Sequence, residues 1–243
     1  MVVRASDAAA GVAVARNLLY AVSGTTTLIL LSGGQTPADL YSSLAREGGF
    51  KAGAAALVDE RYGAPLHAGS NHLTVLRTGL LDYFQRQRIP FYPILVGACS
   101  LEETAEEYGR ILADLFSRYS SRVAILGMGV DGHIAGIAPS RADFANPLFS
   151  PEQSRLLVGY YTDPVAMSAQ GDSSPPFGFG QRVTMTIKAL SEVSILILLV
   201  FGTRKSSALN GLMGEGPVES LPARFLRRSE VARKTLIITD QKE

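Results

Sequence analysis

From residue 26 to residue 31 the chain reads as an unbroken apolar run that ends on Ser32-Gly33-Gly34, after which Pro37 opens a helical pattern through Leu44. Strand, glycine turn and helix in that order form the first unit of an alternating fold. Further strand-like runs lie at 54–58, 122–126, 156–160, 183–187, 193–201 and 235–239. Helical periodicity fills 8–22, 71–86 and 101–119. In the last of these Glu102, Glu103, Glu106 and Glu107 make a solvated acidic face. The alternation predicts an α/β fold, a mainly parallel sheet covered on both faces, in which ligands bind beyond the carboxyl ends of the strands.

Composition narrows the classes open to such a fold. The 243 residues are 47% hydrophobic and 19% charged, and no Ser/Gly- or Pro-rich linker divides them, so one domain spanning 1–243 is expected. The 23 basic and 22 acidic residues are mixed along the chain for a net charge of +1. A nucleic-acid or membrane-surface role needs a concentrated basic face and is not expected. The single cysteine, Cys99, has no partner for a disulfide, and with three scattered histidines it suggests no metal site. A reducing cytoplasm is the expected compartment. The most apolar run, 193–201, is far shorter than the roughly 20 residues that span a bilayer. Residues 162–180, with three prolines and repeated glycines, read as a long loop of the kind that forms lids.

Several polar clusters stand beside predicted strands. Ser32-Gly-Gly-Gln-Thr-Pro37 could present backbone amides, the start of a helix and the Ser32 and Thr36 hydroxyls to an anion. The alternative is a plain tight turn with Thr36 as helix cap and Pro37 at the first helical position. Asp59-Glu60-Arg61 ends a strand, and such a triplet is commonly a solvated corner or a local ion pair. Gly127-Met-Gly-Val-Asp-Gly-His133 packs three glycines, a carboxylate and an imidazole into one turn, and histidine suits proton transfer near neutral pH. His67 and His72 have weaker contexts, at the surface or a helix start. Arg182 opens one strand and Lys205 follows another. The two cations make a sensible phosphate clamp, Arg supplying a fork and Lys a point charge.

Taken in order, Ser32-Gly-Gly-x-Thr-Pro37, Asp59-Glu-Arg61 with Ser70 and Asn71 eleven and twelve residues after the Asp, Gly127-Met-Gly-x-Asp-Gly-His133, Arg182-x-Thr-x-Thr186 and Gly202-x-x-Lys205 resemble the 6-phosphogluconolactonase family. The resemblance spans Ser32 to Lys205. It implies a Rossmann-like three-layer sandwich with a mainly parallel sheet, NagB/RpiA-like, and hydrolysis of a phosphorylated sugar lactone without cofactor or metal. It further implies that Gly33, Gly34, Gln35 and Thr36 cradle the phosphate, with Ser70 and Asn71 among the binding residues and Arg182 and Lys205 as counter-charges. His133 would activate water, Asp131 would orient it, and Arg61, with Asn71, would meet the oxyanion. The implied protein is a monomer or small homo-oligomer whose partner is a small sugar-phosphate lactone.

Glucosamine-6-phosphate deaminases of the same superfamily share much of this pattern, and in that chemistry Asp59 would be the base moving a proton between carbons. They typically carry Asp-Glu-Tyr where this chain has Asp59-Glu60-Arg61, and a Glu five residues after the motif histidine, where this chain has Ala138. Both positions favour the lactonase. Departures from the lactonase pattern are Gln35 in place of a common Ser, and Ile134-Ala-Gly136-Ile-Ala138 in place of Thr-Ala-Ser-Leu-Phe, which predicts an altered wall behind His133. A catalytically silent sugar-phosphate-binding protein is the remaining alternative.

Overall fold

A computed structural model describes residues 1–150, 152–165 and 180–242. Its strands are β1 (Val2–Arg4), β2 (Thr27–Leu31), β3 (Ala54–Leu57), β4 (Asp59–Arg61), β5 (Phe91–Tyr92), β6 (Ser121–Gly127), β7 (Leu157–Tyr161), β8 (Gln181–Met185), β9 (Ile195–Val200) and β10 (Thr235–Thr239). Its α-helices are α1 (Ala8–Val22), α2 (Gln35–Glu47), α3 (Asn71–Arg77), α4 (Leu80–Gln87), α5 (Leu101–Arg118), α6 (Ile187–Ser191), α7 (Ser206–Met213) and α8 (Ser229–Ala232).

Seven strands form one sheet in the order β1-β10-β9-β6-β2-β3-β5, with every neighbouring pair parallel. All five residues of β2 are buried, as are five of the six in β9. A parallel strand covered on both faces has no use for polar alternation, which is why these two read as continuous apolar runs. Several helices start where a side chain can take up their first amides. Asp7 accepts from the Ala10 N–H at 2.8 Å to open α1, and Ser100 with Glu103 forms a reciprocal capping box on α5.

Strand order sets where a ligand can go. From β2 the chain steps outward through β3 to β5, while from β6 it steps the other way through β9 to β10. The order reverses between β2 and β6, and at such a switch point the turns leaving the two strands part to open a crevice. Those turns are Ser32-Gly33-Gly34 and the segment that ends on His133.

Four local expectations are corrected. Residues 156–160 and 183–187 belong, as β7 and β8, to a separate antiparallel sheet of order β4-β8-β7, because an apolar run does not say which sheet it joins. The triplet Asp59-Glu60-Arg61 is no solvated corner: it is β4 itself, with Glu60 wholly buried. The helix expected over 71–86 breaks at Gly79, whose φ of +76° is left-handed, into α3 and α4. Helix α2 starts at Gln35 rather than Pro37, because Gly34 at φ +93° makes the turn, so Thr36 is a helical residue and not the cap. The loop expected at 162–180 lies mostly outside the described residues. No helix among the described residues is long and apolar enough to cross a membrane.

Candidate functional site

At the switch point a cleft is lined by residues 32–37 after β2, Asp59 and Arg61 of β4, Asn71 of α3, Gly127, Met128, His133, Ala135 and Gly136 after β6, Arg182 of β8, and Lys205. The site residues singled out in the sequence therefore converge from both sheets, with two exceptions. Asp131 stands behind His133. Ser70 does not line the cleft: its hydroxyl donates to Glu60 Oε2 at 2.8 Å and accepts from the Leu73 N–H. His67 and His72 also stay outside the lining. The His72 ring packs on Phe91 at 5.3 Å, and His67 lies 2.9 Å from the Arg61 carbonyl. A larger depression elsewhere, walled by Val2, Arg4, Leu209, Met213 and Gln241, gathers no comparable set of catalytic groups.

His133 has a fixed orientation. Its Nδ1 lies 2.6 Å from Asp131 Oδ1, and the same oxygen accepts the His133 backbone N–H at 3.0 Å. Burial alone would raise the Asp131 pKa, but the charge of His133 and its hydrogen bonds outweigh that and hold it below the usual carboxylate value. An ionised carboxylate can only accept, so in the neutral imidazole the proton sits on Nδ1 and Nε2 keeps its lone pair. The turn admits this closeness because Gly129 has no side chain: a Cβ there would stand 2.1 Å from His133 Nδ1.

Residues 134–138 form a tight turn pinned from the second sheet. Tyr160 donates to the Gly136 carbonyl at 2.6 Å and accepts from the Ala138 N–H at 3.0 Å, while the Thr184 hydroxyl donates to the Ala135 carbonyl. Full burial pushes the Tyr160 hydroxyl up to about 12, so it stays a neutral donor. Gly136 rests on Asp59, where a Cβ would fall 2.8 Å from Oδ2. Only Ala135 and Gly136 of this turn face the cleft; Ile134, Ile137 and Ala138 are buried behind it. The atypical segment thus alters the wall mainly through its packing.

Opposite lies a chain of hydrogen bonds. Arg61 Nη1 donates to Asn71 Oδ1 at 2.8 Å and to the Gly69 carbonyl at 3.1 Å. Asn71 Nδ2 donates in turn to the Asp59 carbonyl at 2.8 Å and to Asp59 Oδ2 at 2.9 Å. Gly33 touches the same group, since a Cβ there would stand 1.9 Å from Asn71 Oδ1. Sequence reasoning missed Glu60, Tyr160 and Thr184. Only their places inside the motifs or predicted strands could have signalled them.

The remaining wall suits an anion. Gly34 precedes helix α2 as its N-cap and supplies no side-chain cap, so the first amides of the helix and the positive end of its dipole face the cleft. The Gln35 side-chain amide donates to Asp39 at 2.7 Å. Lys205, in a short 3-10 turn just before α7, donates from Nζ to Thr36 Oγ1 at 3.0 Å. Burial lowers its pKa, with Arg204 adding to the effect and Asp240 opposing it. Ser32 Oγ and Arg182 Nε are buried and meet no partner among the described residues. Arg61, Arg182 and Lys205 against one cleft-lining carboxylate, Asp59, leave the lining net positive.

The chain is similar to known proteins over most of its length. The family model for glucosamine-6-phosphate isomerases/6-phosphogluconolactonase matches residues 4–237. A curated 6-phosphogluconolactonase of Rhizobium meliloti (strain 1021) is 30% identical over 211 residues, covering 86% of this chain and 82% of that protein. A glucosamine-6-phosphate deaminase of Rhodococcus opacus (strain B4) is 28% identical over 230 residues, covering 91% of this chain and 82% of its own. The crystal structure of 6-phosphogluconolactonase from Thermotoga maritima superposes with a TM-score of 0.71 at 24% identity, covering 98% of this chain and 97% of the other.

Proposed function

The chain belongs to the family of glucosamine-6-phosphate isomerases and 6-phosphogluconolactonases, and on that premise we propose that it is a 6-phosphogluconolactonase, which hydrolyses 6-phospho-D-glucono-1,5-lactone to 6-phosphogluconate in the oxidative pentose phosphate pathway. The observation that carries the reading is the Asp131–His133 pair at 2.6 Å, which leaves Nε2 free to take a proton in a cleft lined by three cations.

In this mechanism the phosphate sits on Gly33, Gly34 and the first amides of α2, with Thr36, Arg182 and Lys205 around it. Water attacks the lactone carbonyl as Nε2 of His133 takes its proton. The oxyanion that forms is met by Arg61, which Asn71 and Gly69 hold in place. Collapse of the tetrahedral intermediate breaks the bond to the ring oxygen, and the imidazolium returns the proton to that oxygen. Asp131 stabilises the transient imidazolium. Asp59 anchors Asn71 rather than moving a proton.

We further read residues 1–243 as one domain, because both sheets contribute to a single apolar cluster, acting in the cytoplasm as a monomer or small homo-oligomer. The test is a side-by-side assay of freshly generated lactone, corrected for spontaneous opening, and of ammonia release from glucosamine 6-phosphate. Lactone opening well above background without ammonia release is expected. Ammonia release with lactone opening at background would instead make Asp59 the base and overturn the reading.

A further inference from the structure

Glu60 is a buried acid for which the mechanism has no use, and its surroundings explain its place. It is fully buried in β4 between Asp59 and Arg61, with its side chain turned away from the cleft lining. Each carboxylate oxygen takes two donors. Oε1 accepts the backbone N–H of Arg61 at 2.8 Å and of Asn71 at 2.7 Å. Oε2 accepts the Ser70 hydroxyl at 2.8 Å and the His72 N–H at 3.0 Å. Burial raises its pKa overall, against the four donors, which favour the charged form. Three of the four donors are backbone N–H groups, which cannot reverse, so the carboxyl group is held as an acceptor at both oxygens.

The two donors on Oε1 belong to the residues whose side chains meet across the cleft wall. Arg61 and Asn71 sit on different elements, β4 and α3, ten residues apart. One carboxylate oxygen clamps both backbones and so fixes the distance across which the guanidinium meets the amide at 2.8 Å. We propose that Glu60 is a positioning residue for lactone hydrolysis, setting the place of the Arg61 guanidinium through the backbone joint between β4 and α3. The inference rests on the reading of the cleft given above.

The test is Glu60→Gln, which keeps shape but offers one oxygen where two are needed, so at least one backbone donor faces an NH2 group. Folding is checked by circular dichroism and thermal melting, and kinetics are measured well below the melting point. A displaced oxyanion partner acts on the transition state, so kcat falls about tenfold while KM stays within about threefold. In an Arg61→Gln background the same change then lowers kcat by less than about twofold, because the group it positions is already gone. If Glu60→Gln does not fold, Glu60→Asp, which keeps the charge on a shorter arm, carries the same cycle. A lower melting point with kcat within about twofold of wild type overturns the inference alone, as does a full tenfold loss repeated in the Arg61→Gln background. A wild-type enzyme that fails to open the lactone overturns the reading of the cleft and this inference with it.

Discussion

Ser32 and Arg182, which line the cleft, each hold a buried polar atom that meets no partner among the described residues, whereas His133, Asp131, Arg61 and Asn71 are each tied to another protein group at 2.6 to 2.9 Å. The first pair belongs with Gly33, Gly34, Thr36 and Lys205 in the anion seat; the second set carries the proposed chemistry. A buried polar atom without a partner costs about 1–3 kcal/mol, and a ligand that supplies the partner recovers it. Groups that react must instead be held in place beforehand, because misplacement by about 1 Å can cost on the order of a hundredfold in rate. Under the proposed mechanism one cleft thus contains two designs, unpartnered polar atoms beside the anion seat and closed networks around the reacting groups.

Removing a group from the closed network should therefore strike turnover and spare binding. His133→Asn is expected to lower kcat by roughly 10²–10⁴-fold, the range for a lost general base, with the fold intact by circular dichroism. A kcat within a few-fold of wild type would break the comparison on the side of chemistry.

A smaller effect is expected at the open end, through pH. Burial depresses the Lys205 pKa, so in the free protein the ammonium is lost at lower pH than for an exposed lysine. The protonated form is the one that binds phosphate. Affinity for 6-phosphogluconate should hold below that pKa and fall as pH rises through it, beginning before ordinary lysines titrate. A hydrogen bond to a charged group contributes about 1.5–3 kcal/mol, so the fall should reach at least about tenfold. Calorimetric titration across alkaline pH checks this, and a flat profile would remove Lys205 from the phosphate seat.

Much of this was legible in the sequence where burial wrote a continuous pattern. Strands β2, β9 and β10 and helix α1 follow directly from apolar runs and periodicity. The short edge strands β1 and β5, of three and two residues, carry no period to detect. The antiparallel sheet was hidden because β4 is written in charges, and β8 beside it and β7 beyond read like strands of any sheet. The glycine turns and His133 could be found because they stand beside strands. Tyr160 and Thr184 stood in a predicted strand and a motif, but their partners Gly136 and Ala135 lie 24 and 49 residues away, which the sequence does not show. Ser70 shows the converse, because its spacing suggested a ligand contact and its hydroxyl is instead spent on Glu60.

The division of labour is tested most directly by the affinity of 6-phosphogluconate for His133→Asn beside Lys205→Ala, measured by calorimetry at one pH. Binding within about threefold of wild type is expected for His133→Asn, with a loss of at least about tenfold for Lys205→Ala. Equal losses in the two variants, or tight binding by Lys205→Ala, would contradict it.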